Sequence, residues 1–319
     1  MTTSSTSNYN TARSGENSMM IPEIIYIETT NKCNANCIMC PHKYLTRPIM
    51  DMPNDIFNDV LHNLKSMDLS KTQIFLHKEG EPFCDTNIVS RILQAKASIN
   101  AQIGMNTNAM LMTPDIADKI LTSGLDTIYF SVDGVTAETY NSIRLNCQYE
   151  TVEKNIRYFL EQREKKHVPI KVIMQMLLSP DNLAEKDMFI EKWEKYHVEF
   201  YIKQMHCYLD GGHSAFPDFH SDEQIHICND PFRLLTVLVN GNVGCCCWDY
   251  NNEYNLGNIK DSSLLALYNG HNASYMREKQ QKKDCRDLSP CNRCRRIFAD
   301  DAITPPSIHK MKDDSHHAI

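Results

Sequence analysis

IETTNKCNANCIMCPH, residues 27–42, decides how the rest of the chain is read. It begins on the end of a β-branched apolar run and then sets Cys33, Cys37 and Cys40 within eight positions, as C-x3-C-x2-C. A disulfide takes two thiols and a closed zinc site takes four ligands, so three thiols at a strand end ask for another account.

Working outward, IIYIETT (24–30), QIFLHK (73–78), AQIGMNT (101–107), TIYFSVD (127–133), IKVIMQMLL (170–178) and VEFYIKQM (198–205) read as strands. DIFNDVLHNLKSM, NIVSRILQAKAS, PDIADKILTSG, YETVEKNIRYFLEQREKK and LAEKDMFIEKWEKYH, lying between them, read as amphipathic helices, with Pro114 at one helix start and Gly124 at its end. Strands separated by helices form a parallel sheet through right-handed crossovers, and ligands gather at the carboxyl ends of such strands. The cysteine loop lies at the carboxyl end of the first strand. Met174 and Met176 alternate on the fifth and read as core, while His62 and His77 fall in periodic segments and read as structural.

Composition narrows the function classes. The 319 residues allow one large domain and a smaller module, and a net charge of −7 with no Lys/Arg-rich block argues against a nucleic-acid partner. The first twenty residues are polar and lack a signal-peptide core, and no stretch is long and apolar enough to span a membrane, so the expected setting is cytoplasmic. In a reducing compartment, 13 cysteines read as metal ligands before disulfides.

From about residue 210 the β/α alternation stops. DGGHSAFPDFHSD reads as a linker, FRLLTVLVNGNVGCCCW as a hairpin turning at Asn240–Gly241, DSSLLALYNG as one short helix and DCRDLSPCNRC as an irregular cysteine segment. The expected organisation is therefore a polar tail to residue 20, a barrel over 21–210, a linker over 211–224, a module over 225–298 and a polar tail, with solvated His309, His316 and His317, over 299–319.

Cysteine runs of this kind hold iron–sulfur clusters as well as zinc, and a partial zinc site completed by His42 is the plainer alternative. Three ligands on a four-iron cubane leave one iron open, able to chelate the amino and carboxylate groups of a small molecule. Placed after the first of six strands, the loop resembles the signature of the radical S-adenosylmethionine (SAM) enzymes. The resemblance covers about residues 21–298 and implies an α/β fold, a (β/α)6 partial TIM barrel, with a [4Fe-4S] cluster on Cys33, Cys37 and Cys40. It also implies SAM contacts: Gly80, Glu81 and Pro82 at the SAM ammonium, with Lys78–Glu79 departing from the usual lead-in, and Met39 on the adenine. Asn106, Asn108, Ser131, Asp133 and Arg144 would meet the methionine moiety, ribose and carboxylate.

Cys228, Cys246, Cys291 and Cys294 follow as C-x12-G-x4-C, a gap of 44 residues and C-x2-C. This resembles the short twitch form of the SPASM module, a small β-hairpin plus helix holding one auxiliary [4Fe-4S] cluster; a zinc ribbon on the same residues is the alternative. Cys246 is chosen from Cys245, Cys246 and Cys247 on spacing, and on a strand it would face away from the other two.

The implied chemistry is reductive cleavage of SAM and abstraction of a hydrogen atom from a small hydroxylated substrate of sugar or aminocyclitol type, with an external one-electron donor such as flavodoxin or ferredoxin. Net dehydrogenation would need a base, for which Asp249, Lys203 and His206 are candidates. Epimerisation would need a thiol donor, for which Cys247, Cys245 or Cys285 are candidates. Peptide maturation would call for an amino-terminal recognition domain of about 80 residues, for which the twenty polar residues leave no room. A non-catalytic zinc scaffold would leave the Gly-Glu-Pro stretch and Arg144 without a purpose.

Overall fold

The computed structural model describes residues 19–205, 227–294 and 307–309. The linker over 211–224 and His206, His316 and His317 lie outside the described residues, as do all but Met19 and Met20 of the amino-terminal tail and all but Ser307–His309 of the carboxyl-terminal one. In chain order the first half runs β1 (Ile24–Ile27), β2 (Asn36–Cys37), α1 (Asn54–Lys65), β3 (Gln73–Phe75), α2 (Ile88–Ser98), β4 (Gln102–Thr107), α3 (Pro114–Leu121) and β5 (Thr127–Ser131). Then come α4 (Ala137–Ile143), β6 (Arg144–Leu145), α5 (Tyr149–Lys165), β7 (Lys171–Leu178), α6 (Lys186–Glu194) and β8 (Glu199–Gln204). The module adds α7 (Asp230–Arg233), β9 (Leu234–Val237), β10 (Asn242–Gly244), β11 (Gly257–Asn258), α8 (Leu264–Tyr268) and α9 (His271–Gln281), and β12 (Ser307–His309) follows.

The six expected strands, β1, β3, β4, β5, β7 and β8, pair in that order and in parallel, the arrangement of a partial barrel. Period-two patterning sorts their side chains. Ile25, Ile27, Ile74, Ile103, Ile128, Phe130, Met174, Met176 and Phe200 are buried under the helices, where Phe130 meets Phe159 of α5 at 5.4 Å and Phe200 meets Phe189 of α6 at 5.8 Å. Each such side chain contributes roughly 1.5–3 kcal/mol by leaving water. The alternate positions line the concave face as an aromatic chain: Tyr26 stacks on Phe75 at 5.3 Å, Phe75 meets Tyr129 at 5.9 Å, and Tyr129 meets Tyr201 at 6.3 Å.

Local signals set the helix ends. Thr113 caps α3 by accepting from Ile116 N, Pro114 occupies the first turn, and Gly124 follows at φ +80°. On α5, Tyr149, Val152, Ile156, Phe159 and Leu160 form the buried stripe that its period requires.

Two findings depart from the sequence reading. The module is not separate from the barrel sheet: β9 pairs in parallel with β1 from Ile24–Leu234 to Ile27–Val237, and β10 and β11 extend that edge. At the other edge Ser307–His309, within the expected tail, pairs antiparallel with β8. The Asn240–Gly241 turn is where it was expected, with Gly241 at φ +82° and its N–H bonded to Leu238 O at 2.9 Å.

Candidate cluster and SAM site

The cysteine loop leaves β1 and is pinned on every side. Asn31 Nδ2 donates to Pro48 O at 2.8 Å, His42 Nε2 lies 2.7 Å from Asn31 O, and Cys37 joins β6 through the two-stranded β2–β6 ribbon. His42 thus braces the loop from within. Burial raises the Cys33, Cys37 and Cys40 thiols, Cys40 to about 12, and each of the three lies in electrostatic reach of at least one of the others or of Glu81. Three desolvated sulfurs that their surroundings do not deprotonate fit a site whose metal supplies the positive charge. Among the described residues, no three His, Cys, Asp or Glu side chains converge as a single ion requires.

Of the residues expected at SAM, Gly80, Glu81, Asn108 and Arg144 contact this loop. Gly80 is wedged against it, so that a Cβ there would lie 2.3 Å from Thr30 O and 2.7 Å from Lys32 O. Glu81, 4% exposed, accepts from Thr107 Oγ1 at 2.6 Å, Asn108 N at 2.8 Å and Phe83 N at 3.2 Å, which joins β3 to β4. Its side chain is thereby largely engaged within the protein. Pro82 is buried at the start of a short 3-10 turn, and Met39 is buried in the core. Asn108 Nδ2 donates to Asn34 Oδ1 at 3.0 Å, and Asn106 Nδ2 donates to Gln175 Oε1 at 3.3 Å. Ser131 is buried and in register with Gln175. Asp133 and Arg144 bind each other at 2.7 Å.

In the module, Cys246 and Cys291 share two electrostatic neighbours, Cys228 and Cys294. The Cys246 thiol is raised by burial first and then by Cys247, Asp230, Cys228 and Cys294; the Cys291 thiol is raised by burial, then by Cys285, Cys294 and Cys228. Cys245 turns away from the set, with Sγ 3.4 Å from Met276 Sδ, and burial pushes it up to about 12. The strand argument for Cys246 does not apply, because β10 ends at Gly244 and the cysteine run follows it as bends. Sequence reasoning missed α9, whose fully buried Gln280 accepts from Cys228 N at 3.0 Å and donates to Cys291 Sγ at 3.3 Å. It also missed Arg47 and Glu28, paired at 2.6 Å between loop and module; a carboxylate inside an apolar run was the available signal.

The catalytic candidates separate. Both Asp249 oxygens accept backbone N–H groups, from Glu253 at 2.8 Å and Tyr254 at 2.9 Å, so this carboxylate anchors a turn. Burial raises its pKa. Lys203 Nζ lies 5.4 Å from the Tyr201 ring centroid, on the aromatic face, whereas His206 falls outside the described residues. Cys247 Sγ donates to the buried Asp230 Oδ2 at 2.9 Å, and both groups lie in electrostatic reach of Tyr26. Cys285 is fully buried beside Cys291.

Comparison with known proteins agrees with this geometry. The model of the radical SAM superfamily matches residues 27–191, and that of SPASM, an iron-sulfur cluster-binding domain, matches residues 228–295. The chain belongs to the radical SAM superfamily and carries a SPASM domain; its cofactors are SAM, a [4Fe-4S] cluster and an auxiliary cluster.

Among curated relatives it is 28% identical over 138 residues to the tungsten-containing aldehyde ferredoxin oxidoreductase cofactor-modifying protein of Pyrococcus furiosus, covering 42% of this chain and 38% of that protein. It is 26% identical over 124 residues to the AdoMet-dependent heme synthase of Methanosarcina barkeri, covering 39% of this chain and 34% of that protein. The matches therefore span less than half of either relative.

Among solved structures, BtrN in complex with AdoMet and 2-DOIA superposes with a TM-score of 0.58 at 17% identity, covering 87% of this chain and 94% of that one. Native anSMEcpe with bound AdoMet gives 0.65 at 11% identity, covering 87% and 91%. These likenesses establish the fold, a radical SAM partial barrel.

Proposed function

We propose that the protein oxidises a small hydroxylated metabolite of sugar or aminocyclitol type, with the first cluster on Cys33, Cys37 and Cys40 and the auxiliary cluster on Cys228, Cys246, Cys291 and Cys294. The observation that supports it is that Cys246 and Cys291 share Cys228 and Cys294 as electrostatic neighbours, in a module whose β9 pairs with β1, the strand that carries the first loop. When bound, the first cluster and SAM supply a 5'-deoxyadenosyl radical, which takes a hydrogen atom from an unactivated C–H bond. The protein's own part is positioning and exclusion of water. The aromatic face of Tyr26, Phe75, Tyr129 and Tyr201 forms the apolar wall, and Gln175 and Asn106 offer amide groups along it. In this reading Lys203, beside Tyr201, takes the proton of the substrate radical, and the auxiliary cluster would take up the remaining electron. A flavodoxin- or ferredoxin-type donor and a cytoplasmic setting go with this reading.

The test is iron and sulfide per chain on anaerobically reconstituted protein, followed by a dithionite-driven assay for 5'-deoxyadenosine with polyols and amino sugars. About eight irons and a ketone product support the reading; zinc without iron, or SAM cleavage surviving Cys37→Ala, overturns it.

A second reading, epimerisation, is favoured by the Cys247–Asp230 pair near Tyr26. There the S–H bond would break to return a hydrogen atom to the substrate, and the external donor would restore the thiol with one electron and a proton. Deuterium from solvent would then enter one carbon of the substrate, and Cys247→Ala would stop this while 5'-deoxyadenosine still formed.

A further inference from the structure

The β2–β6 ribbon sets Cys37 opposite Arg144 in register, and Ile38 N donates to Ile143 O beside them at 3.0 Å. One oxygen of Asp133 takes two bonds from the guanidinium, from Nε at 2.8 Å and Nη2 at 2.7 Å, while Nη1 lies 3.9 Å from Cys37 Sγ. Asp133 is fixed in turn: its second oxygen accepts from Leu177 N at 2.7 Å, and its carbonyl accepts from Asn182 Nδ2 at 2.9 Å. The two side chains are 8% and 0% exposed. The guanidinium expected near the carboxylate of SAM thus already holds a carboxylate through Nε and Nη2, and its Nη1 faces the Cys37 sulfur.

We propose that Arg144 is a positioning residue of the first cluster, donating to the Cys37 sulfur under the grip of Asp133 and thereby raising that cluster's reduction potential. This rests on the assignment of Cys37 as a ligand in the function proposed above. The physical reason is that reduction adds negative charge to the sulfurs, and a fixed N–H and cation at a ligand sulfur stabilise that charge most where water is excluded.

The measurement is an EPR-monitored redox titration of reconstituted protein without SAM, taking as the first cluster the signal that changes when SAM is later added, with SAM affinity measured in parallel. Arg144→Gln is expected to lower the midpoint of that signal and leave the auxiliary signal in place, with little change in the dissociation constant for SAM. Arg144→Lys, which keeps the charge but loses the planar fork, is expected to shift the midpoint less and in the same direction, and it decides the matter if the Gln variant does not fold. An unchanged midpoint in the variant that folds overturns the proposal; if SAM affinity falls instead, Arg144 is a carboxylate clamp. A chain that takes up no iron at all would count against the cluster assignment, a separate failure.

Discussion

Arg47 Nε donates to the carbonyl of Tyr250 at 2.6 Å, tying the segment behind the three-thiol loop to the turn behind the cysteine run of the module. Neighbouring bonds repeat the tie: Thr46 N to Asn251 Oδ1 at 2.9 Å, Asn251 Nδ2 to Tyr44 O at 3.3 Å and Lys78 Nζ to Asp249 O at 3.3 Å. The same Arg47 forks onto Glu28 at 2.7 and 2.6 Å, and Glu28 also accepts from Val239 N at 3.2 Å.

Arg47→Met should therefore leave a fully buried Glu28 carboxylate without its cation, at a cost of roughly 3–5 kcal/mol. Adding Glu28→Gln should recover part of it. Chemical denaturation of both variants checks this; a single-variant cost under about 1 kcal/mol, the range of an exposed pair, would be incompatible with the burial described.

Cys246→Ala should remove about four of the eight irons that two cubanes contain. Cys245→Ala should keep all of them and cost stability only through lost packing on Met276. Iron and sulfide analysis separates the two, and the reverse pattern would make Cys245 the ligand.

Gly80→Ala forces a methyl to within 2.3 Å of one backbone carbonyl oxygen and 2.7 Å of another, neither at the end of a flexible side chain. Overpacking of this sort costs about 1–3 kcal/mol, and here the strain falls on the cysteine loop itself. The expected outcome is a lower melting temperature with weakened SAM binding; an unchanged melt and affinity would contradict the close approach.

Burial, with the charge of Lys78 beside it, holds His77 down to about 3, and its Nδ1 accepts from Asn106 N at 3.2 Å. The unfolded chain has an ordinary histidine, so it binds the proton that the folded chain refuses. Stability is thus fully present above about pH 6.5 and falls as the pH drops toward 3, by at most about 1.4 kcal/mol per pH unit from this residue. Denaturation of His77→Gln at pH 7 and pH 5.5 should show a smaller drop than the parent, and equal drops would exclude the effect.

The six strands were legible because each is a short β-branched run between turn signals, and the cysteine spacings carried both clusters. Three helices were not, of which α7 is a single turn of four residues. The seven residues of α4 bury only Tyr140 and Ile143, too few to show a period, and α9 buries Ala273, Met276, Arg277 and Gln280, a face too polar and small to read as apolar. Gln280 could not be recognised because its partner Cys228 lies 52 residues away. Arg144 was legible as a functional cation, but its partner followed from the ribbon register, which two-residue strands do not announce.

The parallel pairing of β9 with β1 makes the two halves poor candidates for separate production. Cutting the chain before Cys228 would strip β1 of the neighbour that bonds along its length, leaving an unpaired edge that includes the fully buried Ile25 and Ile27. Such an edge recruits strands from other chains, so a fragment designed to isolate the first cluster should precipitate during refolding, whereas cysteine substitutions within the intact chain keep that seam closed.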